Sequence, residues 1–273
     1  MPASAFLLAL AAAFLHALWN LLIARARDPE AATAVAVVVA VAVFAPVAAL
    51  TWEVERSAWP YIAASSLSHL VYFSLLAAAY RRAELSLVYP LARGLAPVLV
   101  LVVAVAALGA STSGAEAAGV CLVGVGVLLV RGIRGKADSK GVAFGLVIAL
   151  VIATYTLVDN AGIEHANAIA YLEASLLPAA LAYAAAIIVA KGRGAVRAEV
   201  GVSTIVAGIA SFSAYALVLA ALQLAPAAPV AAVRETSVVI AVVGATLFLG
   251  ERVGPGRYAG AVLVVAGVAL LAF

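Results

Sequence analysis

YPLARGLAP, residues 89–97, runs on without a charge through VLVLVVAVAALGA to Ala110. It meets a counterpart 141 residues later, where APVAAVRETS, residues 228–237, runs on through VVIAVVGATLFLG to Gly250. Each is a long apolar run with one arginine near its start, Arg93 in the first and Arg234 in the second. The same offset of 141 pairs Gly109 with Gly250, Gly119 with Gly260, and Gly126 with Gly267, and Leu108–Leu249 and Val123–Val264 keep the register. Aliphatic matches arise by chance in so Val- and Ala-rich a chain, so the arginine and glycine pairs carry the weight. They indicate an internal duplication.

Outward from these two stretches the pattern repeats along the whole chain. The 273 residues are 67% hydrophobic and 11% charged, and mean hydropathy is +1.20. A soluble domain is about half apolar and about a quarter charged. This composition therefore requires a hydrocarbon layer as solvent. Charge clusters and Gly or Pro breaks divide the chain into ten apolar segments, 3–24, 31–52, 58–80, 85–108, 114–131, 141–160, 166–190, 200–223, 227–249 and 255–272. The expected fold is an all-α integral membrane protein of ten transmembrane helices. Five spans per repeat is an odd number, so the second repeat enters the bilayer from the opposite side, giving two inverted five-helix repeats, 1–132 and 140–273. Inverted repeats suit alternating access around one central site.

The pI near 9.1 does not indicate nucleic acid, because the basic residues sit in short connectors rather than in a stripe. Connectors after odd-numbered spans hold thirteen of them, from Arg25 and Arg27 to Arg252 and Arg257, whereas the alternate connectors hold only Arg56. The positive-inside rule puts the odd connectors in the cytoplasm and both termini outside. Trp52, Trp59 and Tyr61 fit an interfacial aromatic belt. The lone cysteine, Cys121, excludes a disulfide framework and a cysteine metal site.

Ionisable and polar groups inside spans cost about 2.5–3.5 kcal/mol for each charge on insertion scales and normally face the bundle interior or a wet cavity. Spans two, five and ten have no charged residue in their apolar interiors and are expected to be lipid-facing scaffold. His16, Trp19 and Asn20 share a face of span one, and Tyr155, Thr156, Asp159 and Asn160 form a comparable face in span six. His69 and Tyr72 in span three, and Ser211 and Tyr215 in span eight, suit hydrogen bonding to a polar ligand. Asp159 and Glu173 are the acidic groups that could carry a coupling proton. Pro90 and Pro97 in span four, and Pro226 and Pro229 at the start of span nine, can kink a helix or free carbonyls. The alternative for the polar groups is helix packing through interhelical hydrogen bonds.

These residues resemble those of the drug/metabolite transporter superfamily, specifically its EamA-type members with tandem five-helix repeats. The resemblance rests on the first-span His16, Trp19 and Asn20, the YPLARGLAP stretch with Tyr89 and Arg93, the APVAAVRETS stretch with Arg234, and the turn Leu249 to Arg252, and it covers essentially the whole chain. It implies a cavity lined by spans one, three, four, six, eight and nine, a secondary transporter and exporter of metabolites, amino acids among them, in a prokaryotic cytoplasmic membrane, and both termini in the cytoplasm. That last implication opposes the charge count.

The expected substrate is a small polar metabolite, an amino acid or other carboxylate, because Arg93 and Arg234 offer the planar fork that pairs with a carboxylate. Each lies roughly 11 Å into its span at 1.5 Å per residue, from opposite faces, so both approach the midplane. The substrate-binding set is His16, Trp19, Asn20, His69, Tyr72, Tyr89, Arg93, Tyr155, Asp159, Tyr215 and Arg234. The competing assignment has Glu235, Glu173 or Asp159 neutralising Arg234 and Glu84 neutralising Arg93, so that all serve only to lock helices. A cation or multidrug exporter is the alternative within the superfamily. An intramembrane enzyme lacks HExxH, GxSxG or GxGD, and a channel would show rings of like residues. No cofactor, metal or nucleic acid is expected. The partners are the bilayer, a small-molecule substrate and, through Asp159 or Glu173, a proton.

Overall fold

The computed structural model describes residues 1–82, 85–131, 139–240, 243 and 254–272. Ten principal helices occupy them: α1 (Ala3–Ala24), α2 (Pro29–Leu50), α3 (Trp59–Arg82), α4 (Leu85–Ala106), α5 (Gly114–Arg131), α6 (Ser139–Gly162), α7 (Ala168–Ala198), α8 (Val202–Leu222), α9 (Ala227–Arg234) and α10 (Pro255–Ala272). Residues of the turn before the last span, including Leu249 to Arg252, and Glu84 lie outside the described residues.

The helices begin and end where local chemistry requires. Asp28 caps α2 by accepting from the Glu30 and Ala31 amides, with Pro29 at the first helical position, where no N–H is needed. Asn167 caps α7 in the same way. The hydrogen-bonding pattern of α7 extends to Ala198, past the expected end at 190, yet the rod breaks at Gly192, whose φ of 83° is open to glycine at little cost. Span nine departs most from expectation. Pro226 and Pro229 are accommodated at its start, and the helix breaks instead at Glu235, the C-cap of α9, before helical residues resume over 236–240.

Glycine contacts establish the inversion. A Cβ placed on Gly119 would meet the Gly267 carbonyl at 2.9 Å, and one on Gly126 would meet the Gly260 carbonyl at 2.7 Å. The facing residue numbers fall along α10 as they rise along α5, so the two helices run antiparallel. Gly119 and Gly126 are the repeat equivalents of Gly260 and Gly267, so each glycine touches the partner of the other. Such reciprocal contact is the mark of a two-fold relation, here between repeats of one chain. Gly94 and Gly124 bring α4 onto α5 as closely, a Cβ on either lying 2.9 or 2.7 Å from the other's carbonyl. Without side chains in the way, the backbones approach to the distance that van der Waals packing in a membrane favours.

Connectors meet at both faces. Between α2 and α3 the chain pairs with the α6–α7 connector through Glu55 N–H to His165 O at 3.0 Å and Asn167 N–H to Glu53 O at 2.8 Å. On the opposite face Lys191 bonds Asp28 at 2.7 Å, and the Asp28 amide donates to Glu199 at 3.1 Å. Trp52 and Trp59 are exposed beside the first of these junctions. The outer surface carries Leu7, Phe14, Leu67, Val102, Leu129, Leu150, Leu181 and Val262 in the open, an apolar coat that water would punish and lipid tails solvate.

Candidate functional site

Between the two repeats lies a cavity that opens to the outside. His16, Trp19, His69, Tyr72, Arg93, Tyr155, Ser211, Tyr215 and Arg234 line it. The spans implied to line it do so, but so do α2, through Thr33, Ala36, Val37 and Ala40, and α7, through Leu176 and Ala180. Span two is therefore not purely lipid-facing. Its alanines contribute wall without filling the space. Trp19 and Ile23 near the end of α1, and Thr33 near the start of α2, extend the cavity towards the face that carries Lys191 and Asp28.

Two polar clusters stand on its wall. The first joins α1, α4 and α9. Arg93 is 4% exposed and Arg234 3%, and both reach the same carboxylate. Arg93 Nε lies 3.1 Å from Glu235 Oε2, and Arg234 Nε lies 3.8 Å from Glu235 Oε1. The arginines thus converge on one group. Arg93 also donates from Nη2 to His16 Nε2 at 2.8 Å. The Trp19 indole N–H reaches His16 Nδ1 at 3.2 Å. A neutral imidazole accepts at only one nitrogen, so the shorter, charge-assisted bond from Arg93 takes it. Asn20 stands outside the cavity lining and donates from Nδ2 to the His16 carbonyl at 2.7 Å.

Charge is unevenly shared in this cluster. Arg234 Nε and Nη2 are buried and make no hydrogen bond among the described residues, and neither oxygen of Glu235 is met by an aligned N–H. Glu235 is wholly buried and lies behind the arginines, outside the cavity lining. Among the described residues the two arginines share the Glu235 carboxylate.

The second cluster joins α3, α6, α7 and α8. Asp159 is wholly buried and accepts from Tyr171 Oη at 2.9 Å and from Tyr215 Oη through a short bond. It does not itself line the cavity, and Tyr215 stands between. His69 bonds the Ser65 carbonyl at 2.9 Å. Its ring stacks on Tyr155 at 4.6 Å between centroids and meets Tyr215 edge-on at 5.7 Å. Glu173 is buried in α7, its Oε2 without a hydrogen bond among the described residues, and it too lies outside the lining. Tyr89 belongs to α4, and its side chain lies outside the described residues.

Of the groups weighed as neutralisers, Glu235 pairs with both arginines, whereas Asp159 is engaged by tyrosines. Glu235, Tyr171, Ser65 and Phe73 were not among the expected site residues. Glu235 had a signal: the offset of 141 sets it opposite Gly94, so the duplicated arginine is followed by glycine in one repeat and by an acid in the other. Tyr171 had none, since its partner lies across a connector on another helix.

No curated protein matches this chain. Among solved structures, a crystal structure whose description names no function superposes with a TM-score of 0.80, covering 100% of this chain and 99% of that one at 17% identity, a likeness of fold. The model of the EamA-like transporter family matches residues 3–132 and again 139–273. The chain thus belongs to the EamA-like transporter family, and is a membrane transporter of the drug/metabolite superfamily.

Proposed function

We propose that this transporter is a secondary active carrier of a small organic anion, a carboxylate such as an amino acid, working by alternating access in a prokaryotic cytoplasmic membrane. The observation that supports this is the pair of buried arginines on the cavity wall with a single glutamate between them. Two guanidinium groups on one cavity wall fit a carboxylate, which can accept from both forks. A lipophilic cation would face the same arginines and be repelled. The remaining wall, with Trp19, Tyr72, Phe73, Tyr155, Phe212 and Tyr215, suits an apolar or aromatic substrate body.

Ligand-induced stabilisation tests this reading. A ligand at a hundred times its Kd raises stability by about 2.7 kcal/mol. Acetate, benzoate and L-phenylalanine are compared with tetraphenylphosphonium on detergent-solubilised protein. Benzoate at least is expected to raise the midpoint of the wild type and to lose that effect in Arg93→Gln and Arg234→Gln. Stabilisation by the phosphonium alone would overturn the reading.

A further inference from the structure

The repeats are alike at Arg93 and Arg234 and unlike at the next residue, Gly94 in one and Glu235 in the other. Gly94 is needed for contact, since it lies against Gly124. Glu235 makes no such contact and places a carboxylate where a bilayer protein can least tolerate one. It is wholly buried, at a break in the helix, and held by charge alone rather than by aligned hydrogen bonds. A group so placed is stable as an anion only while the arginines face it.

We propose that Glu235 is the coupling proton site: a substrate carboxylate and Glu235 compete for the same two arginines, and Glu235 takes one proton as the substrate binds. This rests on the carboxylate reading above. The arginines stand between Glu235 and the cavity, so a carboxylate on the cavity side draws the guanidinium groups forward. Glu235 is left without hydrogen bonds and with both arginines turned from it in a dry interior, where an ionised carboxylate is costly and neutralisation by a proton is the cheaper outcome.

The charge balance closes. Before binding the cluster holds two cations and one anion; afterwards it holds two cations, the substrate anion and a neutral acid. One positive charge is carried in either case. The anion therefore crosses with its proton, and net movement follows the sum of the two gradients, so that an accumulated carboxylate leaves with a proton.

Among the described residues, few other titratable groups surround Glu235. Arg93 faces it from α4 and Arg234 from its own helix, and α1 brings His16, bonded to Arg93. From α6, Tyr155 lies within electrostatic reach of Glu235, Arg93, Arg234 and Asp159, and α8 brings Tyr215, bonded to Asp159. In α5 only the exposed Cys121 lies between Glu116 and Arg131, and α10 has only Arg257 and Tyr258 in its first turn.

The test uses purified full-length protein in a weakly buffered detergent solution with a pH indicator, and benzoate as the probe. Wild type is expected to take up one proton per benzoate bound, its affinity falling about tenfold for each unit rise in pH. Glu235→Gln is expected to bind benzoate at least as tightly, without proton uptake and with an affinity flat in pH. Benzoate binding to the wild type without proton uptake overturns the proposal, and that measurement stands even where the variant does not fold. Proton uptake that survives in Glu235→Gln, or that is lost in Asp159→Asn instead, also overturns it. Failure of the wild type to bind benzoate at all refutes the carboxylate reading beneath it, a result distinct from binding without a proton.

Discussion

The two arginines are equivalents by duplication yet differ in their surroundings, and removing each in turn should have unequal consequences. Arg93 is the nearer partner of Glu235, at 3.1 Å, and bonds His16 as well. Arg93→Gln leaves a buried carboxylate facing only Arg234 at 3.8 Å. Breaking a buried pair from one side costs about 3–5 kcal/mol. Arg234 contributes a longer ion pair and no hydrogen bond from Nε or Nη2. Its replacement also removes the burden of a poorly satisfied buried cation, so Arg234→Gln should cost no more than about 1 kcal/mol. Neutralising all three groups, Arg93→Gln and Arg234→Gln with Glu235→Gln, should recover at least about 2 kcal/mol of the Arg93→Gln loss, because no charge of the cluster is then left buried without its partner. Reversible unfolding in mixed micelles of increasing SDS fraction gives the three free energies. Equal destabilisation by the two single variants, or a triple variant no more stable than Arg93→Gln, would refute the unequal sharing of Glu235.

Gly126→Leu should weaken the joint between repeats by about 1–3 kcal/mol, since even the first carbon of a side chain there would meet the Gly260 carbonyl at 2.7 Å; unchanged unfolding in the same micelles would contradict the close approach. The Asp28–Lys191–Glu30 junction should be intact across neutral pH. Burial works against the Asp28 charge, but the Lys191 ammonium and the Ala31 and Glu30 amides outweigh it and hold the carboxyl below the ordinary aspartate value of 3.8. Its stabilisation is present above that value and lost as pH falls through the lowered one. Burial likewise opposes the Lys191 charge, and Asp28 and Glu30 outweigh it, holding the ammonium above its ordinary 10.5; that contribution is present below 10.5 and lost as pH rises through the raised value. Asp28→Asn should therefore flatten the acid limb of a stability–pH profile, and an unchanged limb would exclude the junction. For orientation, in a Cys121→Ser background a membrane-impermeant thiol reagent outside the cell should label a C-terminal cysteine and not Lys136→Cys; the reverse pattern would put both termini in the cytoplasm.

Helix positions were legible wherever the solvent alone decides them. The spans 3–24, 114–131 and 255–272 agree with α1, α5 and α10 to the residue, because an apolar run ended by charges has only one way to sit in a bilayer. The inversion was legible from an odd number of spans, and Gly119, Gly126, Gly260 and Gly267 turned out to be the contacts that embody it. Features decided by tertiary partners were not legible. Span nine breaks at Glu235 rather than at Pro226 or Pro229, since a proline in the first turn removes an N–H that has no use there, whereas Glu235 is held by an arginine from another repeat. Asp159 lies behind Tyr215 rather than on the cavity wall, a placement fixed by tyrosines on two other helices. The polar pattern picked out which residues face inward but not which of them faces the open space.

Transport by the reconstituted protein bears most directly on the central claim. In proteoliposomes loaded with L-phenylalanine, benzoate and tetraphenylphosphonium together, efflux of each is followed by mass spectrometry for the wild type, Arg93→Gln and Arg234→Gln. A carboxylate should leave the wild-type vesicles faster than protein-free ones and should stay behind with either variant, while the phosphonium leaks equally from all. Efflux of the cation alone, or carboxylate efflux that both variants retain, would contradict an arginine-centred anion site.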